Sequence, residues 1–194
     1  MATWTDDGLR EGAALLEWLR ATETRDRVVE RLSDRLGTCL ARSGKVLACG
    51  NGGSMCDAMH FAEELSGRFR RDRRALPALA ISDPAHLTCV ANDWGFDRVF
   101  ARGVEAWGRP GDILVVFSTS GNSRNIVAAA EAARAQQLAV VGLLGRQGGA
   151  VRPLCDEAIV VPAEDAGRIQ EVHIKIVHLL IEGIERVVVP EQYR

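Results

Sequence analysis

A chain of 194 residues has room for one domain of ordinary size and hardly for two. Apolar residues make up 47% and charged residues 26%, a globular balance that excludes wholesale disorder. With 24 Lys plus Arg against 26 Asp plus Glu, the net charge of −2 removes the electrostatic basis for a protein that coats DNA or RNA. No apolar run approaches the ~18–20 residues that span a bilayer. The opening residues Met1 to Asp7 lack the basic and apolar stretches of a secretory signal, so a cytoplasmic globule is the expectation. Nineteen glycines and only 5% aromatics suit an α/β protein whose strand-to-helix turns bring backbone close to a ligand. Cys39, Cys49, Cys56, Cys89 and Cys155 form no C-x-x-C pair and read mostly as small buried hydrophobes.

The first forty residues predict two helices. Leu9, Ala13, Leu16 and Leu19 recur at helical spacing, as do Val28, Leu32, Leu36 and Leu40. Thr24 is placed to cap the second helix and Gly44 to end it. Neither carries chemistry, and packing between subunits is the role they suit. From Lys45 short apolar runs alternate with helical stretches. Strands are predicted at Val46–Cys49, Ala78–Ile81, Ile113–Phe117, Ala139–Leu143 and Ala158–Val161. Helices are predicted from Met55 to Phe69, through Gln136 after the third strand, and from Arg168 to Val187. This alternation predicts one domain, a parallel five-stranded sheet with helices on both faces.

In such a sheet, ligands bind outside the carboxyl ends of the strands. Two polar, glycine-containing loops fall there. Ser118-Thr119-Ser120-Gly121-Asn122-Ser123 offers four hydroxyls and backbone N–H groups at a helix N-terminus, a setting for a phosphate. Capping by Ser123 alone does not need so many hydroxyls. Gly50-Asn51-Gly52-Gly53-Ser54 begins like a dinucleotide fingerprint, but Met55 stands at the third glycine position. No P-loop and no G-x-S-x-G elbow is present.

His60 and Glu64, four apart on a predicted helix, share a face. They can bind a metal together, Glu64 can serve as a base that His60 orients, or the two can form an exposed ion pair. Gln170 and His178 on the last helix are about 80° apart in projection and ~12 Å apart along the axis, so joint ligation needs long reach, an irregular turn or two subunits. His86 and His173 read as structural.

Taken together, these residues resemble one family. Gly50 to Ser54, His60 to Leu65, Gly67-Arg68-Phe69, Asn92-Asp93-Trp94-Gly95-Phe96, the serine loop, and Arg168 to His173 with His178 look like phosphoheptose isomerase. The resemblance covers roughly residues 45–188 and belongs to the sugar isomerase (SIS) group, with a flavodoxin-like sheet. It implies conversion of sedoheptulose 7-phosphate to D-glycero-D-manno-heptose 7-phosphate, the first step towards nucleotide-activated heptoses. It also implies that Ser118, Thr119, Ser120 and Ser123 hold the phosphate. Asn51, Gly52, Gly53, Asn92 and Asp93 would line the sugar, with Glu64 and Gln170 also touching substrate. His60, Glu64, Gln170 and His178 would bind one zinc ion per subunit, and Glu64 and His178 would exchange protons with C1 and C2. A homotetramer in the cytoplasm, without nucleic-acid or membrane partners, completes the implied picture. The four-residue metal set resembles the heptose enzyme specifically, whereas the serine loop indicates only the wider group.

Some positions depart. Gly167 stands where some relatives carry aspartate or alanine, and Met55 is larger than the usual residue beside the first loop. The run Arg68, Arg70, Arg71, Arg73, Arg74 reads as a solvated basic face, with Arg68 adjoining the motif. The rival reading is a non-catalytic SIS module that binds a phosphosugar or a protein such as a replication initiator. Such a module has no need to keep a base, an acid and metal ligands together.

Overall fold

The computed structural model describes residues 3–193. Helices α1 (Trp4–Asp26) and α2 (Val28–Ala41) precede an alternating run: β1 (Val46–Gly50), α3 (Gly53–Ser66), β2 (Ala78–Ala80), α4 (Pro84–Trp94), α5 (Val99–Trp107), β3 (Ile113–Ser118), α6 (Arg124–Ala135), β4 (Ala139–Gly145), β5 (Glu157–Val161) and α7 (Ala166–Val188). The strands form one sheet in the order β2-β1-β3-β4-β5, every pair parallel. This is the flavodoxin-like order, and the chain reverses direction across the sheet between β1 and β3.

Alternation along each strand divides the core. Val46, Ala48, Ile113, Val115, Phe117, Val141, Leu143, Ile159 and Val161 face α2, α3 and α7. Leu47, Cys49, Leu114, Val116, Val140 and Leu144 face α5 and α6, with Val90 of α4 added at the margin. Strands buried on both faces have no polar side, which is why they read as continuous apolar runs.

Three local expectations change. Thr24 lies inside α1 and donates to the Arg20 carbonyl; the break falls at Arg27, in the left-handed region at φ 48. The cap of α2 is the Glu23 carboxylate, which accepts from Val29 N at 2.7 Å and Glu30 N at 3.1 Å. The left-handed residue that ends α2 is Ser43, with Gly44 N closing onto the Cys39 carbonyl at 2.9 Å. Helices α4 and α5 had no counterpart in the predicted elements. Helix α4 buries only Val90, so it has almost no apolar stripe to read, although Asp83 capping at His86 N and Pro84 in its first turn are start signals.

The predicted stripe of α1 is mostly uncovered in one chain. Leu19 is buried, but Leu9 and Leu16 are 75% and 46% exposed.

Candidate active site

The two polar loops leave β1 and β3, on either side of the point where the strand order reverses. Gly52 (φ 55, ψ −123) lets the chain turn from β1 into α3 in a conformation that other residues rarely adopt. The loops are joined by a reciprocal amide pair. Asn51 Nδ2 donates to Asn125 Oδ1 at 2.9 Å, and Asn125 Nδ2 donates to Asn51 Oδ1 at 2.8 Å. Asn125, in the first turn of α6, is buried. The sequence reading missed it; its place two residues after the serine loop is the available signal.

Within the serine loop, Ser118 Oγ accepts from Gly121 N at 3.0 Å and Ser120 Oγ accepts from Asn122 N at 3.1 Å. Gly121 takes φ 64, and a Cβ there would collide with the Gly148 carbonyl. Asn122 Oδ1 accepts from Ala150 N at 3.0 Å, so the β4–β5 connection braces the loop from outside. Ser123 makes no side-chain cap to α6, which leaves its hydroxyl and the helix N-terminus for an anion.

On the other face, α3 and α7 pack together and bring His60, Glu64 and His178 into one cluster. Their ligand atoms all lie within 4.8 Å of one another. His60 Nε2 is 3.3 Å from Glu64 Oε1 and 3.3 Å from His178 Nε2, and His178 Nε2 is 3.9 Å from Glu64 Oε2. Phe69 stacks on the His178 ring, with centroids 5.9 Å apart. Glu64 is mostly buried, and its Oε2 has no hydrogen-bond partner. A buried carboxylate oxygen without a donor is costly, and an incoming cation relieves that cost. Two imidazoles and a carboxylate form the donor set of an open catalytic zinc site. These residues therefore fit a metal ion.

Asp57, three residues before His60, is buried with Oδ2 unpartnered, and burial pushes its carboxyl up to about 6 against the opposing pull of His60. The sequence reading missed it too, although the spacing puts it on the His60 face.

Gln170 packs against the first loop: a Cβ at Gly53 would sit 2.6 Å from Gln170 Oε1. Gly53 precedes His60 by seven residues and Gln170 precedes His178 by eight, so the amide is level with the start of α3, ~12 Å along α7 from His178. Asn92 and Asp93 lie on the last turn of α4, where Asn92 Nδ2 donates to Asp93 Oδ1 at 2.7 Å. His173 is buried and bonds the Leu144 carbonyl, and His86 bonds the Val99 carbonyl, so both are structural. Cys39, Cys49 and Cys155 are buried, while Cys56 and Cys89 are exposed. The basic run is not uniformly solvated. Arg68 and Arg70 are well exposed, but the Arg73 side chain is completely buried against Glu185.

A five-stranded parallel sheet with a serine-rich loop at its reversal point and a His–Glu–His cluster between α3 and α7 defines a sugar-isomerase type of α/β domain. The SIS domain profile matches residues 10–145. Phosphoheptose isomerase of Fusobacterium nucleatum subsp. nucleatum is 53% identical over 164 residues, 84% of each chain. Among solved structures, phosphoheptose isomerase GmhA from Neisseria gonorrhoeae superposes with a TM-score of 0.83 at 37% identity, covering 94% of this chain and 99% of that one. A phosphoheptose isomerase from Francisella tularensis gives 0.86 at 35% identity, covering 95% and 100%. The chain belongs to the phosphoheptose isomerase family.

Proposed function

We propose that this protein is an aldose–ketose isomerase that converts sedoheptulose 7-phosphate to D-glycero-D-manno-heptose 7-phosphate, opening the route to nucleotide-activated heptoses. The observation that carries the reading is the meeting of a buried carboxylate with two imidazoles from separate helices. A non-catalytic phosphosugar- or protein-binding module has no use for that grouping.

Moving hydrogen between C1 and C2 passes through an enediolate, which needs a base at one carbon, an acid at its neighbour and charge to steady the oxyanion. In this reading Ser118, Thr119, Ser120 and Ser123 take the phosphate, which the α6 N-terminus also favours. Asn51, Gly52, Gly53, Asn92, Asp93 and Gln170 line the sugar. Glu64 and His178 exchange the protons with C1 and C2. The Glu64 side chain is only 15% exposed, which limits the water that can compete for that transfer. His60, Glu64, Gln170 and His178 would hold one zinc ion per subunit, with Gln170, ~12 Å along α7 from His178, supplied to that cluster by another copy of the chain. Bound there, zinc supplies Lewis-acid stabilisation of the developing oxyanion.

We further propose one SIS domain over residues 1–194, working in the cytoplasm as a homotetramer. Among the described residues no helix is long and apolar enough to cross a membrane. The exposed Leu9 and Leu16 of α1, beside a groove of about 540 Å³ that Leu16, Leu19 and Leu179 line, support packing against further copies.

The test is direct. Purified protein incubated with sedoheptulose 7-phosphate forms the aldose, followed by NMR. Glu64→Gln and His178→Gln abolish turnover while the chain still folds and binds substrate. A near-normal rate in either variant removes that residue from proton transfer, and no conversion by zinc-loaded wild type defeats the isomerase reading.

A further inference from the structure

Arg73 lies in the segment between α3 and β2, and its side chain has no exposed surface, as does almost none of the Glu185 side chain facing it. Arg73 Nε donates to Glu185 Oε1 at 2.7 Å. Its other nitrogens donate to carbonyls at the end of α3: Nη2 to Glu64 O at 2.6 Å, and Nη1 to Leu65 O at 2.9 Å and Gly67 O at 3.4 Å. The Glu64 and Leu65 carbonyls lack partners within α3, and all three lie at the negative pole of its dipole; Leu65 O also accepts from Leu76 N at 3.0 Å. The second Glu185 oxygen accepts from Tyr193 Oη at 2.6 Å, so the carboxylate is held from both sides.

Stability alone is a weak reason to bury such a pair. Desolvating two charges costs several kcal/mol, and apolar residues of similar volume often serve a core as well or better. What the pair joins is more telling. Glu64, whose carboxylate faces the histidines, has its own main-chain carbonyl bound by Arg73. Glu185 follows His178 by seven residues, two turns along the same face of α7. One guanidinium thus ties the end of the helix that carries His60 and Glu64 to the helix that carries His178. Because Glu64 Oε2 has no hydrogen bond of its own, the register of the two helices decides where that oxygen stands relative to His178.

We propose that Arg73 is a positioning residue, and that its buried pair with Glu185 sets the register of α3 against α7 on which the Glu64–His178 geometry depends. This rests on the proton-transfer reading of Glu64 and His178. The phosphate loop lies on β3 and α6, outside the reach of this brace, so catalysis and binding separate.

Two variants test it: Arg73→Lys, whose single ammonium cannot span Glu185 and the α3 carbonyls together, and Arg73→Met combined with Glu185→Leu, which removes both charges. In either folded variant, checked by circular dichroism, kcat falls about tenfold or more while KM for sedoheptulose 7-phosphate stays within about twofold. Zn²⁺ affinity, measured by competition with a chelator, falls about tenfold or more in the same variants. Wild-type kcat in either folded variant overturns the proposal. Loss of folding in both also overturns it, since the pair is then a folding requirement. Glu64→Gln run alongside separates the failures: if it turns over normally, the proton-transfer reading falls whatever Arg73 does.

Discussion

His173 makes the stability of this fold sensitive to mild acid. Its ring is buried in α7 and its Nε2–H donates to the Leu144 carbonyl at 3.1 Å, while Nδ1 has no partner. Protonation would put a charge and a second donor where nothing accepts it. Burial accordingly pushes the imidazole down from the usual 6.5 to about 4, against the opposing effect of the Leu144 bond. Between those values the unfolded chain binds a proton that the folded chain refuses, so stability rises with pH there. The contribution is fully present above pH ~6.5 and is lost as pH falls towards ~4. At ~1.36 kcal/mol per pKa unit the whole effect is about 3 kcal/mol, of which about 2 kcal/mol is gone by pH ~5. Urea unfolding of wild type and His173→Phe from pH ~7.5 to ~5 isolates it, because other titrating groups cancel in the difference. The variant removes the bond to the Leu144 carbonyl and is less stable by about 1–2 kcal/mol at pH ~7.5. At pH ~5 the two are nearly equal. A difference that stays constant across this range refutes the reasoning.

Gly121→Ala forces a side chain into φ 64 against the Gly148 carbonyl. It costs about 1–3 kcal/mol in urea unfolding and raises KM about tenfold or more, because the strain falls on the loop proposed to take the phosphate. Asn51→Ala and Asn125→Ala each strand a partly buried amide and destabilise by about 1–3 kcal/mol; the double variant loses less than the sum, a coupling of about 1 kcal/mol that a double-mutant cycle reads. Removing metal with a chelator abolishes turnover and Zn²⁺ restores it. The circular dichroism spectrum does not change, since α3 and α7 are already packed through their apolar faces.

Where one element determines a feature, the sequence was a sufficient guide. The buried strands announced themselves as apolar runs, and the serine and glycine loops fell at their carboxyl ends. His60 and Glu64 share a face because four residues make about one helical turn. Helix α4 escaped because a helix that buries only Val90 has no periodic stripe. Asp57 was legible in the same spacing as His60, yet only its burial distinguishes it from an ordinary surface acid.

What one element cannot determine belonged to the tertiary structure. The resemblance singled out His178 and left His173 as structural, but only the packing of α7 on α3 brings the His178 Nε2 to 3.3 Å from that of His60, while His173, five residues earlier, turns into the sheet. The Asn51–Asn125 pair spans 74 residues and Arg73–Glu185 spans 112, separations at which no local periodicity carries information. Local spacing decides which side chains share a surface. Burial decides which of them lose water and must find a partner across the fold, and that made an arginine in an apparently solvated run the link between the two helices of the site.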